Sequence, residues 1–125
     1  MVTLLYIGVG GFFGSVLRYL IKEWIQAGAA FPFGTLIVNV LGSFLFGFVV
    51  SFLEYKEIFT EDVRVFVTIG LLGGFTTMST FSYDSYRLIE RKDYFLSAMN
   101  IGGTIILTLL AVFLGIKLGL AVLNK

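Results

Sequence analysis

The chain has no cysteine and no histidine among its 125 residues. Without cysteine it can form neither disulfides nor thiolate metal sites. Without histidine it lacks the commonest general base and metal ligand. Proline is nearly absent, with Pro32 alone. Charged residues make up 14% of the chain, against about 25% in soluble domains. The net charge of +1 offers no basic face for nucleic acid. With no buried acid pair either, acid–base and nucleophilic chemistry have few candidates, so the chain does not read as an enzyme.

Apolar residues dominate instead. Hydrophobic residues reach 58%, 14 of them Phe, and the mean hydropathy is +0.96. The charges cluster between long uncharged runs, as in a polytopic membrane protein. A helix needs about 20 apolar residues to cross the hydrocarbon core. Val2 to Ile21 meets that length with one charge, Arg18. Phe33 to Leu53, Val65 to Tyr83 and Tyr94 to Ile116 carry none. The expected fold is therefore an all-α integral membrane protein, residues 1–125 forming a single four-helix transmembrane domain. The first run resembles a secretory signal only at Ala27-Gly28-Ala29. It lacks a basic n-region and is longer than a usual h-region, so it reads as a span.

Four crossings place both termini and the middle loop on one side of the bilayer. That side carries Lys56, Arg64, Lys117 and Lys125, and the other carries Lys22, Arg87, Arg91 and Lys92, with Arg18 near it. The positive-inside rule works on such a bias, and here there is almost none. Either the short loops leave the tally ambiguous, or the protein inserts both ways up. In the second case two copies could pair antiparallel about a two-fold axis in the membrane plane.

Small residues let helices approach closely in lipid. Gly10 and Gly14, and Gly115 and Gly119, have GxxxG spacing, and Gly42, Ser43 and Gly47 mark a stripe on the second span. Asn39 lies well inside that span. A carboxamide facing lipid without partners costs roughly 2–7 kcal/mol, so Asn39 faces protein or water, as interhelical glue or as a ligand for something passing through. Arg18 can snorkel to the interface or add positive potential to a vestibule.

The third span contains GLLGGFTTMSTFSYD. Adjacent Gly73 and Gly74 are each about 1 kcal/mol poorer than Ala in a helix. They are expected to unwind the span at mid-depth, which membranes tolerate only in protein or beside water. Freed carbonyl oxygens there would suit a hard cation. Thr76, Thr77, Ser79, Thr80 and Ser82 follow. One or two hydroxyls could bond back to the helix, but five within seven residues leave some for protein or permeant. Phe81 can present the positive edge of its ring to an anion. On the fourth span Asn100, Thr104 and Thr108 recur every four residues, on one helical face.

Three stretches, GGFFGSVLRY, GTLIVNVLGSFLFG and GLLGGFTTMSTFSYD, resemble the Fluc/CrcB family of small fluoride channels, over nearly the whole chain. The resemblance implies a fluoride-selective channel that exports the ion passively and protects the cell. It also implies a multi-pass protein of the bacterial inner membrane, built as an antiparallel dual-topology homodimer with two pores. A structural Na+ would sit on the dimer axis, held by the backbone carbonyls of Gly73 and Thr76. Asn39, Met78, Ser79, Thr80, Phe81, Thr104 and Thr108 would line the fluoride pore. Arg18, Thr35 and Asp84 would have vestibule or structural roles. Two residues depart from the family pattern, Met78 where Phe is usual and Asp84 where Glu is usual. Fluoride itself, a second copy and membrane lipid are the expected partners. The competing reading is a small four-helix dual-topology multidrug or cation exporter, which needs an intramembrane carboxylate; all eight acids fall outside the four runs.

Overall fold

Four long helices account for the computed structural model, which describes residues 1–55 and 59–124. Lys56 and Lys125, counted in the charge tally, lie outside the described residues. Helix α1 is Val2–Gln26 and α2 is Phe33–Tyr55. The third span comprises α3 (Glu61–Val65), a π-helical segment (Phe66–Leu72), one turn of α4 (Gly73–Phe75) and α5 (Met78–Glu90). Helix α6 is Tyr94–Leu123. All four spans are long and apolar enough to cross a bilayer. No strand occurs among the described residues.

The helices run past the apolar cores read from the sequence. Helix α1 continues through Lys22 and Glu23 to Gln26. Gln26 then builds the turn: its Nε2 donates to the carbonyls of Ala29 and Phe31 at 3.0 Å, and its Oε1 accepts from the Gly34 amide at 3.0 Å. The first two tie down carbonyls of the turn, and the third satisfies an amide that the start of α2 leaves free. Gly28 supplies the left-handed step (φ +77°) that the turn needs. At α3 the Thr60 hydroxyl accepts from the Val63 amide at 3.4 Å, and Glu61 and Asp62 occupy the positive first turn.

Helix α2 packs along α6, and α1 packs along the π-helical segment and α4. Glycines set both approaches, inside the subunit. A Cβ on Gly10 would lie 2.6 Å from the Phe66 carbonyl oxygen, and one on Gly119 would lie 2.7 Å from the Ser51 Cβ. Gly14 meets Leu71 in the same way, and Gly47 and Gly115 meet Val112 and Phe44. Both GxxxG pairs are thus helix-packing surfaces. Gly8, Gly102 and Gly103 have open space where a Cβ would go.

Candidate functional site

The third span breaks at Thr76 and Thr77, both in extended conformation (ψ 155° and 120°). The break falls three residues beyond the glycine pair expected to open the span. Gly73 and Gly74 stay helical, with Gly73 at φ −64°, ψ −38°. The reason is packing. A Cβ on Gly74 would come within 2.8 Å of the Gly11 carbonyl oxygen, so this glycine serves the approach of α1. The chain opens where a distant side chain offers a better partner than the helix does.

That partner is Asn39. Its Nδ2 donates to the Thr77 carbonyl at 2.9 Å, and its Oδ1 accepts from the Thr77 amide at 2.8 Å. An unbroken helix would send that amide to the Gly73 carbonyl. The Gly73 carbonyl therefore loses its helical donor. Asn39 is buried, and its clasp settles two backbone groups that would each cost about 1–3 kcal/mol if left unpaired. Arg18 supports the break from the other side, its Nη1 donating to the Thr76 carbonyl at 3.2 Å. Because α1 runs on to Gln26, Arg18 lies two turns inside the helix and turns inward; it does not snorkel.

The hydroxyl run resolves into several roles. Thr76 and Ser82 bond back to the Leu72 and Met78 carbonyls, at 3.1 and 3.0 Å. Thr77 caps α5: its hydroxyl oxygen accepts from the Thr80 amide at 3.3 Å, and it bonds Thr80 Oγ1 at 3.1 Å and Ser79 Oγ at 3.4 Å. Ser79 and Thr80 are thus held beside the break. A Ser/Thr residue just before a helix is a recognisable cap, so Thr77 was findable from sequence as the centre of this group.

A cleft of about 210 Å³ opens beside the break, lined by Asn39, Ser43, Thr76, Thr77, Met78, Thr104 and Thr108. Four of the expected pore residues meet here. Among the described residues no charged side chain lines it. Thr104 is buried, and its hydroxyl has no partner among the described residues. Thr108 donates to the Thr104 carbonyl at 2.7 Å. Met78 is 72% exposed, whereas Phe81 is 7% exposed and packs in the core of the protomer. Ser79, Thr80 and Phe81 are not among the lining residues. Asn100 shares the helical face of Thr104 but is not among the lining residues: its Nδ2 donates to Ser85 Oγ at 2.9 Å, and Ser97 donates to the Ser85 carbonyl at 3.1 Å. This cluster joins α5 to α6, a role the sequence did not announce.

A second cleft, of about 250 Å³, lies at the α1–α2 turn. Lys22, Arg87 and Arg91 line it with Asp84. Asp84 Oδ2 accepts from the Thr35 hydroxyl at 2.7 Å. Asp84 lies in α5, not in a loop, and shares this cleft with the three cations. The shorter side chain thus still reaches Thr35.

A family model described as CrcB-like protein, Camphor Resistance (CrcB), matches residues 5–116. "Fluoride-specific ion channel FluC 1" of Methanosarcina acetivorans is 50% identical over 116 residues, 92% of this chain and 88% of that protein. "Fluoride-specific ion channel FluC 3" of Methanosarcina barkeri is 44% identical over 98% of this chain and 93% of its own length. "Fluoride-specific ion channel FluC" of Rhizobium meliloti is 46% identical over 92% of this chain and 94% of its own length.

Proposed function

From the premise that this chain belongs to the CrcB family, we propose that it is a fluoride-selective channel, a multi-pass protein of the inner (plasma) membrane through which fluoride leaves the cell. It is a conduit and not an enzyme. The observation that carries this reading is the unpartnered Thr104 hydroxyl in an uncharged cleft beside a broken helix. Fluoride accepts hydrogen bonds and donates none. Thr104 Oγ–H, the Ser43 hydroxyl and the second N–H of Asn39 are donors that can replace part of its water. A fixed cation here would hold the anion too firmly, since conduction needs moderate binding. Arg18 is engaged by the Thr76 carbonyl, and Lys22, Arg87 and Arg91 line the second cleft, where they raise the local anion concentration. The membrane potential supplies the drive, about 2.3 kcal/mol per charge per 100 mV.

The cleft is open on the protomer surface, and a second copy would close it. Gly8, Gly102 and Gly103, free of neighbours in the protomer, provide smooth backbone for such a partner. An antiparallel arrangement agrees with the even charge tally. For a sodium ion on the two-fold axis, the donor set is the Gly73 and Thr76 carbonyls. Gly73 fits, having lost its helical amide and being exposed. Thr76 keeps a free lone pair while it accepts from Arg18. A symmetric copy would double the set. Sodium bound there would fix the break and the interface by electrostatics. The cation-exporter reading finds no support in the family, and among the described residues no carboxylate lines the cleft beside the break.

The test is ion efflux from liposomes containing the pure protein. Fluoride should leave rapidly while chloride stays. A folded preparation that passes no fluoride, or passes chloride equally well, would end the proposal.

A further inference from the structure

With no cysteine and three methionines, Met1, Met78 and Met99, this chain has few oxidisable sulfurs. Met78 alone of the three lines the inner cleft. It is the first residue of α5, directly after the break. The Asn39 clasp on Thr77 fixes the backbone just before it, while its side chain stands 72% exposed on the protomer, between Met1 at 101%, outside the cleft lining, and Met99 at 48%. Where a second copy closes this cleft, Met78 is reached along the path itself, and an accessible thioether is what peroxides oxidise.

We propose that Met78 is an oxidation site, and that its sulfoxide closes the path. The inference rests on the fluoride-channel reading. In the reaction the sulfur lone pair attacks hydrogen peroxide and the O–O bond breaks. One oxygen bonds to Sδ, and the other leaves as water with both protons. The sulfide is oxidised by two electrons and the peroxide is reduced by two. Peroxide is neutral and close to water in size, so a path wide enough for an ion and its remaining water admits it.

The product has the opposite character from the reactant at the place where this matters. A thioether is a weak acceptor, whereas a sulfoxide is polar and carries its negative end on oxygen. That oxygen takes up the donors the anion needs, first the unpartnered Thr104 hydroxyl across the same cleft, and it repels an approaching anion. Both effects oppose conduction. Reductases that act on methionine sulfoxide restore the thioether, so the modification is reversible.

The experiment treats the reconstituted protein with hydrogen peroxide and reads two quantities, the mass of the Met78 peptide and the rate of fluoride efflux. Met78 should gain one oxygen before Met99 does, and efflux should fall at least about fivefold in step with that gain. In Met78→Leu, whatever its own rate, efflux should be the same before and after treatment. Met99→Leu should lose efflux as the parent does. The proposal is overturned if Met78 resists oxidation, if its sulfoxide conducts unchanged, or if Met78→Leu still loses efflux. Untreated protein that passes no fluoride overturns the channel reading itself, and the proposal falls with it.

Discussion

The carboxamide of Asn39 pairs with both backbone groups of Thr77, at 2.8 and 2.9 Å, across 38 residues of sequence. A side chain thereby does what the next strand does in a sheet, and a helix can stop in mid-membrane without leaving its amide and carbonyl unpaired. The rest of the site is arranged around this pair.

Asn39→Ala should destabilise the fold by roughly 2–6 kcal/mol, because it strands a buried donor and a buried acceptor at once. Asn39→Asp keeps the acceptor for the Thr77 amide but turns a carboxylate oxygen toward the Thr77 carbonyl, and adds a charge that repels an anion. Both variants should lose fluoride efflux. Denaturant unfolding in detergent alongside the efflux assay checks this; full stability in Asn39→Ala would remove the clasp from the account.

Thr104→Val separates stability from conduction. Its hydroxyl is buried and unpartnered, so replacing it with a methyl should leave stability unchanged or raise it by about 1 kcal/mol. Fluoride efflux should still drop by about tenfold, as one donor on the path is lost. Thr104→Ser should retain most of the flux. Equal losses in the two variants would point to packing as the role of this side chain.

Arg18→Gln should loosen the break, since a charge-assisted bond of about 1.5–3 kcal/mol to the Thr76 carbonyl is weakened. Arg18→Lys should rescue it in part, with a point charge in place of the planar fork. Hydrogen exchange at the amides following Thr76 is the direct readout, and unchanged protection in Arg18→Gln would refute the tether.

Gly14 and Gly103 should respond oppositely to enlargement. Gly14→Leu drives a side chain into the Leu71 backbone and should prevent the protomer from folding. Gly103→Leu meets nothing in the protomer and should fold normally, yet weaken association of two copies. Crosslinking in membranes reads the second effect. A Gly103→Leu protein that dimerises like the parent would place the partner on another face.

Much of this architecture was legible from the chain. Long uncharged runs give the four spans directly, and the paired glycines at 10 and 14 and at 115 and 119 read correctly as close-packing surfaces. The interruption of the third span was legible as an event but misplaced by three residues. Helix propensity points to Gly73 and Gly74, whereas the decision lies with a partner on α2 that local reasoning does not see. Arg18 finds its acceptor 58 residues away, so its inward turn was equally hidden. Of the hydroxyl run, Thr76 and Ser82 bond back to their own helix, the one or two that such bonding accommodates, while Thr77 organises Ser79 and Thr80. The π-helical segment left no mark in the sequence, since its residues are those of an ordinary apolar helix.

That segment, Phe66–Leu72, has a mechanical consequence. Each α-helical residue advances the winding by about 100°, and a π-bulge inserts one residue of slack into that count. The slack sets the angular phase with which Thr76 and Thr77 arrive opposite α1 and α2. Deleting a single residue between 66 and 72 would rewind the span as plain α-helix. It would swing Thr77 out of the reach of Asn39 while leaving every named contact residue in the chain. The site is therefore tuned by helical timing as much as by its side chains.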